Sequence, residues 1–191
     1  MPEQARVGVL ISGRGSNLKA LIDAQAAADC PYRIALVVSN VEDAPGLDIA
    51  REAGIATFAK SHKGIDRAAF DAIVDAELRA HGIEVVALAG YMRKLSTGFV
   101  EGWTGRMLNI HPSLLPLYKG LDTHARAIEA GDATHGCSVH LVTAELDGGP
   151  VLAQAEIPIL PGDTPDTLAA RVLVEEHRLY PLALAELVRT L

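Results

Sequence analysis

Cysteines, aromatic residues and long apolar runs are all scarce in this sequence of 191 residues. The two cysteines, Cys30 and Cys137, belong to no Cys-x-x-Cys pair, which argues against a disulfide framework and against structural zinc. The longest apolar stretch, near residues 83–91, is too short to cross a bilayer and contains Glu84. We therefore predict a chain without a membrane span that folds around an ordinary hydrophobic core.

Clustered positive charge is lacking as well, since 17 Lys and Arg residues face 24 Asp and Glu residues and the formal net charge is -7. Broad binding to nucleic acid or to anionic lipid needs clustered basic residues, so we predict neither as a partner. A local site for one phosphate remains compatible with this charge. The first residues lack the pattern of a signal peptide, and we expect a cytoplasmic protein.

What the sequence does contain is an alternation of short apolar runs with longer amphipathic segments. This order predicts an α/β fold, a Rossmann-like doubly wound and mostly parallel sheet with helices on both faces. Two extended runs, Cys137–Val142 and Val151–Leu160, flank a turn-rich segment and predict an antiparallel addition at the C-terminal side. No linker or repeat divides the chain, so residues 1–191 are predicted to form one domain.

Three details of this prediction concern local structure. A helical pattern runs from Asn17 to Ala28, and the Gly-rich stretch over residues 94–105 predicts irregular backbone. A final helix begins near Thr164, and Pro181 should kink or break it.

A glycine loop, Gly13-Arg14-Gly15-Ser16-Asn17, follows the first apolar run. Glycines let the backbone approach a ligand, and the N-terminus of the next helix favours an anion. Leu18 occupies the third glycine position of G-x-G-x-x-G, and no Gly-Lys-Ser/Thr is present, so a dinucleotide or nucleoside triphosphate is disfavoured. We predict a site for a single phosphate. The alternative is a tight turn, capped by Ser16 or Asn17, that binds nothing.

Asn109 and His111 stand at the end of an apolar strand that Pro112 terminates. Because side chains alternate between faces of a strand, both point to the same side, while their neighbours point into the core. Such a pair at the carboxyl end of a strand is typical of a catalytic site, although a buried, hydrogen-bonded Asn and His would look the same.

Asp147 lies in the turn Glu145-Leu146-Asp147-Gly148-Gly149-Pro150, which can carry a carboxylate into a cleft. If it meets His111, it would orient the imidazole and stabilise its protonated form. The other nearby histidines lack the spacing of a closed metal site, and we predict no metal; these are His124, His135 and His140.

Four motifs in this order resemble the phosphoribosylglycinamide formyltransferases, the folate-dependent enzymes of purine synthesis. The motifs are Ile11–Leu18, Leu88–Arg93, Asn109–Pro116 and Glu145–Pro150, and the resemblance runs from about Arg6 to Pro181. It implies the formyltransferase fold. It also implies transfer of the formyl group of 10-formyltetrahydrofolate to the amine of phosphoribosylglycinamide, which yields phosphoribosyl-N-formylglycinamide and tetrahydrofolate in de novo purine (IMP) synthesis.

The resemblance also implies roles for particular residues. The catalytic residues would be Asn109, His111 and Asp147. The residues that bind the phosphoribosyl substrate would be Gly15, Ser16, Asn17 and Glu176. The folate-binding residues would be Arg67, Met92, Arg93, Lys94, Leu95 and Asn109. Two positions depart from the family pattern, since Asp122 stands where many members have His and Lys119 replaces a proline. A role for an imidazole at position 122 is therefore in doubt.

Two other functions stay open at this stage. A formyltetrahydrofolate deformylase would use the same three catalytic residues for hydrolysis, but such enzymes usually carry a further N-terminal domain, and here a strand begins by about Arg6. A non-catalytic ligand-binding module would have no need of Asn109, His111 and Asp147 together. The sequence does not indicate an oligomeric state.

Overall fold

Strands and helices alternate over most of the chain, and the computed structural model describes residues 4–191. The strands are β1 (Ala5–Ile11), β2 (Tyr32–Ser39), β3 (Ala56–Ala59), β4 (Val85–Leu88), β5 (Met107–His111), β6 (Thr134–Leu141) and β7 (Val151–Pro158). The helices are α1 (Ser16–Ala24), α2 (Gly46–Glu52), α3 (Arg67–Ala80), α4 (Thr97–Gly102), α5 (Thr123–Glu129) and α6 (Pro165–Thr190). Within the described residues, no helix has both the length and the apolar character that crossing a membrane requires.

The seven strands form one sheet in the order β3-β2-β1-β4-β5-β6-β7. The first five strands in this order are parallel, whereas β6 runs antiparallel to β5 and β7 antiparallel to β6. All four residues of β4 are buried, as expected for a strand that helices cover on both faces. The predicted fold class is confirmed, including its antiparallel addition. That residues 1–191 form a single domain stays a prediction.

The strand order changes direction at β1, whose two neighbours in the sheet are β2 and β4. In open α/β sheets, ligands bind at the carboxyl edge where such a reversal separates the loops. The carboxyl ends of β1, β4 and β5 adjoin one another, because Leu10 pairs with Leu88 and Leu88 pairs with Asn109. Three of the four sequence motifs therefore leave the sheet at this edge.

Two clusters of buried side chains cover the two faces of the sheet. The first contains Leu18 of α1 and Tyr180 of α6, and the second contains Phe70 of α3 together with Trp103. Burying one such side chain contributes about 1.5–3 kcal/mol, so these helices are held mainly by their apolar faces. The Tyr180 hydroxyl also donates to the Leu88 carbonyl oxygen at 2.8 Å, which fixes α6 beneath the carboxyl edge.

The structure differs from the prediction at the end of α1 and over residues 94–105. Helix α1 ends at Ala24 instead of Ala28, and residues 26–29 are exposed, so a continued helix there would bury nothing. The stretch 94–105 contains the short helix α4 although two glycines lie in it. Phe99 and Val100 are both buried, and this tertiary packing outweighs the low helix propensity of glycine.

Helix α6 continues through Pro181 to Thr190, so the predicted break is wrong. Proline removes one backbone hydrogen bond from a helix interior. Here Pro181 is itself buried, beside Tyr180 and Leu184 on the face that packs against the sheet. The packing of α6 on both sides of the proline offsets the loss.

Candidate active site

The strand β5 brings Asn109 and His111 to the carboxyl edge on one face of the sheet. Met107, which shares this face, packs into the second core cluster, while Leu108 and Ile110 pack into the first. The polar pair thus begins where the apolar packing of this face ends. His111 is buried and Asn109 is partly exposed, so a molecule at the edge can reach the Asn109 amide.

His111 and Asp147 lie next to each other, although 35 residues separate them in the sequence. The Nδ1 atom of His111 is 3.5 Å from Oδ2 of Asp147, and its Nε2 atom is 2.9 Å from the carbonyl oxygen of Tyr118. The same Asp147 oxygen accepts a hydrogen bond from the Gly120 amide at 2.9 Å. Both ring nitrogens of His111 therefore face acceptor oxygens, which is the environment that a doubly protonated ring satisfies.

His140 completes this group and was not singled out by the sequence as part of it. It is buried on β6 directly opposite Asn109, and its Nε2 lies 3.3 Å from Asn109 Nδ2 and 3.7 Å from Asp147 Oδ1. Its Nδ1 faces the Leu141 carbonyl oxygen at 2.9 Å. Burial lowers the pKa of His140, so the neutral ring donates from Nδ1 and accepts with Nε2. The only signal for this role is the β5–β6 register, which the sequence does not display. We call Asn109, His111, His140 and Asp147 the β5 cluster.

The backbone around the β5 cluster adopts left-handed conformations at three residues other than glycine. These are Tyr118 with φ 52°, Asp122 with φ 56° and Asp147 with φ 49°. Such conformations cost free energy and persist where the surroundings hold them, often at functional sites. Here Arg126 helps to hold the loop between Tyr118 and Asp122, because it donates to the carbonyl oxygens of Lys119 and Leu121.

A second pair of histidines lies behind the β5 cluster. Nε2 of His135 is 3.1 Å from Nδ1 of His124, and burial, followed by the neighbouring His124, lowers the pKa of His135 to about 4. At neutral pH this pair is therefore uncharged, and one ring donates to the other. Within residues 4–191 no group of three or more His, Cys, Asp or Glu side chains has the arrangement of a metal site.

The glycine loop turns sharply between β1 and α1. Gly15 has φ 77° and is the residue before the first turn of α1, and neither Ser16 nor Asn17 caps the helix with its side chain. The capping role offered as an alternative is therefore wrong, because both residues already lie inside the helix. A Cβ atom at Gly15 would stand 2.7 Å from the Cα of Gly46, so the close approach of α2 also requires glycine there.

Asn17 and Glu176 meet at this loop from opposite ends of the chain. Asn17 Nδ2 donates to Glu176 Oε2 at 2.8 Å, whereas Asn17 Oδ1 is buried and has no partner among residues 4–191. Burial raises the pKa of Glu176, and the hydrogen bond from Asn17 opposes part of that effect. The structure thus brings two of the predicted substrate-binding side chains together and leaves them with unused hydrogen-bonding capacity.

The predicted folate-binding residues occupy the segment after β4 and the start of α3. Met92 is 73% exposed, Lys94 is exposed and Leu95 packs against the second core cluster. The guanidinium of Arg93 lies 4.8 Å from the centre of the Phe70 ring. Arg67 is exposed as the first residue of α3 and forms no ion pair within the described chain. No such contact places it beside the other predicted folate-binding residues.

A doubly wound sheet that presents a cluster of polar side chains at its carboxyl edge defines an α/β protein with a ligand site at that edge. A family model described as formyl transferase matches residues 5–184, and the chain belongs to this family. The resemblance inferred from the four motifs is confirmed, and the chain is a formyltransferase.

Similar proteins agree with this assignment. The chain is 51% identical over 178 residues to the phosphoribosylglycinamide formyltransferase of Escherichia coli (strain K12), covering 93% of this chain and 84% of that protein. It is 47% identical over 184 residues to the trifunctional purine biosynthetic protein adenosine-3 of Bos taurus, covering 96% of this chain but only 18% of that protein. A crystal structure of phosphoribosylglycinamide formyltransferase from Brucella melitensis is 50% identical, with a TM-score of 0.93 over 97% of this chain and 96% of that one.

Proposed function

We propose that this chain transfers the formyl group of 10-formyltetrahydrofolate to the amine of phosphoribosylglycinamide, in de novo purine synthesis. The observation that carries the proposal is the β5 cluster, in which an amide, two imidazoles and a carboxylate converge at the same carboxyl edge that the glycine loop leaves from. The relatives that bear the name of this reaction match nearly the whole chain. A cytoplasmic location stays a prediction.

The reaction needs a donor for the oxygen of the formyl group, and Asn109 is suited to supply it. His140 accepts with Nε2 and thereby binds one of the two N–H groups of the Asn109 amide. The second N–H is free to donate to an oxyanion that forms at the partly exposed edge. One preorganised donor of this kind contributes roughly 10²–10³ in rate.

His111 provides the second donor in this scheme. Because the Tyr118 carbonyl oxygen accepts from Nε2, the nitrogen that remains for the substrate is Nδ1, which faces Asp147 at 3.5 Å. That distance is longer than a strong hydrogen bond, so the formyl oxygen can compete for the Nδ1 proton. Asp147 stabilises the positive charge of the ring while the oxyanion develops.

The bonds and protons balance without any further reactant. The amine nitrogen attacks the formyl carbon, and the new C–N bond forms as the oxygen takes on charge. The bond between that carbon and the folate nitrogen then breaks as the carbonyl re-forms. The proton that the amine loses passes to the folate nitrogen, and Asp147 is placed to relay it, directly or through water.

The phosphate end of the ribonucleotide would bind Gly15, Ser16 and Asn17, whose backbone lies at the N-terminus of α1. The unpartnered Oδ1 of Asn17 and the carboxylate of Glu176 offer acceptors to the sugar and amide groups of the same molecule. Binding energy gained here orients the amine at the β5 cluster. The folate would lie along Met92, Arg93, Lys94, Leu95 and Asn109, with Arg67 reaching its acidic tail.

The test follows release of tetrahydrofolate from 10-formyltetrahydrofolate by the purified protein, with and without phosphoribosylglycinamide. We expect release that depends on the ribonucleotide, together with a formylated product detected by mass spectrometry. Equal release without the ribonucleotide would identify a deformylase instead. No release under either condition would leave a ligand-binding module, and calorimetry with each substrate would then show which one it binds.

A further inference from the structure

The segment Met92–Ser96, between β4 and α4, presents backbone groups that the other described residues do not use. The amides of Arg93, Lys94 and Leu95 have no hydrogen-bond partner elsewhere in residues 4–191. Exposed loops commonly leave such groups to water. In a segment that is to bind a small molecule, however, the same groups must be held in one arrangement before the ligand arrives.

Side chains from two other parts of the sheet hold the two ends of this segment. The Met92 amide donates to Ser12 Oγ at 2.8 Å, and Ser12 in turn donates to Asn40 Oδ1 at 2.5 Å. The Ser96 amide donates to Asp71 Oδ2 at 2.6 Å. Both acceptors are side chains, so the ends of the segment are fixed without any backbone pairing that would occupy the amides between them.

Asp71 is an unusual residue for the position that it occupies. It lies on the buried face of α3 next to Phe70 and is only 1% exposed, and in the part of the chain that the structure describes its Oδ1 has no hydrogen-bond partner. Burying a carboxylate costs free energy unless donors surround it. An apolar residue at this position would pack against the second core cluster without that cost, so the packing of α3 alone does not account for an aspartate.

Two further buried polar atoms of the same region lack a hydrogen-bond partner within residues 4–191, Arg93 Nε and the Tyr91 hydroxyl. Arg93 Nε lies 3.9 Å from Asp71 Oδ1. Burial raises the pKa of Tyr91, and the charge of Asp71 adds to that effect while Arg93 opposes it. Asp71 thus acts on both ends of the segment. It accepts a hydrogen bond from the Ser96 amide, and its negative charge faces the Arg93 guanidinium.

We propose that Asp71 and Ser12 are positioning residues for the donor substrate: they hold the two ends of segment Met92–Ser96, so that the free amides between them bind the folate. The inference rests on the proposed function, because it assumes that this segment binds the folate. Neither side chain touches the reacting atoms, and their effect is on the affinity for one substrate.

The experiment compares Asp71→Asn with Asp75→Asn, which lies one turn further along the same helix. Asp75 accepts from Trp103 Nε1 at 2.8 Å and pairs with Arg79, and within residues 4–191 it forms no hydrogen bond or ion pair with the segment, so its variant reports on damage to α3 alone. Dissociation constants of tetrahydrofolate are measured by calorimetry, and KM is measured for both substrates. The asparagine side chain would keep an oxygen for the Ser96 amide but lose the charge that strengthens this hydrogen bond and that faces Arg93. Asp71→Asn should therefore weaken tetrahydrofolate binding and raise the folate KM by roughly three- to ten-fold. The ribonucleotide KM and kcat should stay unchanged, and Asp75→Asn should bind as the wild type does.

Ser12 gives an independent test at the other end, which decides alone if Asp71→Asn does not fold. Ser12→Ala should weaken tetrahydrofolate binding by a similar factor, and Ser12→Thr, which keeps the hydroxyl, should restore it. Wild-type binding by Asp71→Asn or Ser12→Ala, or an equal loss for both substrates, would overturn the inference. A wild-type protein that binds no tetrahydrofolate would refute the proposed function instead.

Discussion

Two buried carboxylates, Asp147 and Glu176, lie at the same edge of the sheet but differ in how many polar partners the fold gives them. Asp147 accepts from the Gly120 amide and faces the imidazoles of His111 and His140. Within residues 4–191 Glu176 accepts a side-chain hydrogen bond from Asn17 alone, and its burial raises its pKa. The fold supplies the first carboxylate with a backbone donor and with the imidazole of His111, whereas it leaves hydrogen-bonding capacity of the second unused.

This difference corresponds to two roles that a carboxylate can have in a site. A carboxylate that works on the reaction must keep one position, so the protein supplies its partners in advance. A carboxylate that recognises a substrate gains its remaining partners from that substrate, and it is destabilised until the substrate binds. We therefore expect changes at Asp147 to alter turnover, and changes at Glu176 to alter binding and stability.

Asp147→Asn should produce the largest effect on activity. The amide retains the shape of the side chain but carries no charge to stabilise a protonated His111, and kcat should fall roughly 10²–10⁴-fold. Steady-state assays at saturating concentrations of both substrates would measure this fall. Asparagine tolerates left-handed backbone, so the fold should persist at φ 49°.

The matched control for this variant is Asp122→Asn, which makes the same change at another residue with left-handed backbone, φ 56°, but on an exposed side chain. It should leave turnover close to that of the wild type. If Asp147→Asn kept more than half of the wild-type turnover, the carboxylate would have no part in the chemistry. The contrast between Asp147 in turnover and Glu176 in binding would then be wrong.

Glu176→Gln should affect the ribonucleotide and leave the folate alone. The neutral amide still accepts from Asn17 but loses the charge-assisted hydrogen bonds to the substrate, so the ribonucleotide KM should rise roughly 10- to 100-fold. Initial rates measured at varied concentrations of each substrate would separate the two KM values. Glu175→Gln is the control, because the Glu175 carboxylate pairs with Arg178 at 3.2 Å and does not face the glycine loop. A parallel rise in the folate KM would contradict a binding role confined to the ribonucleotide.

His140→Phe tests whether the fold orients the Asn109 amide. The phenyl ring fills similar space but offers no acceptor to Asn109 Nδ2, so kcat should fall about ten-fold while both KM values change little. His135→Phe removes a buried imidazole from the opposite face of β6 and should have a smaller effect on kcat. Equal losses in the two variants would indicate general damage to the strand instead of a lost orientation.

Much of the β5 cluster can be read from the sequence, because strand alternation alone puts Asn109 and His111 on one face at the carboxyl end. His140 cannot be read in the same way. Its place opposite Asn109 depends on the antiparallel register of β5 and β6, which tertiary packing fixes. The contact between Asp147 and His111 likewise depends on how the turn after β6 folds back, so from the sequence alone it was a hypothesis.

The fold was predictable where apolar pattern and local propensity agree, and not where they conflict. Gly98 and Gly102 argue against a helix in the stretch that forms α4. Pro181 argues for a helix end, yet α6 continues through it. In both places buried side chains decide the outcome, and a local pattern does not report that burial. The positions of Arg67 and Lys94 relative to a ligand are unpredictable for another reason, since these exposed side chains have no partner within residues 4–191 to fix them.

The smallest expected effect concerns stability, and it separates the two carboxylates most cleanly. Burial raises the pKa of Glu176 above its ordinary value of 4.5, so in the window above 4.5 the folded chain retains a proton that the unfolded chain has lost. Stability therefore falls as the pH rises through that window, and the cost of the buried charge is complete once the pH exceeds the raised pKa. Glu176→Gln should raise Tm at pH 7 by a few degrees, and this gain should shrink as the pH falls and vanish below about 4.5. Thermal unfolding across this range, with Glu175→Gln beside it, measures the gain. A lower Tm for Glu176→Gln at pH 7 would mean that Glu176 stabilises the fold, and the distinction from Asp147 would then rest on turnover alone.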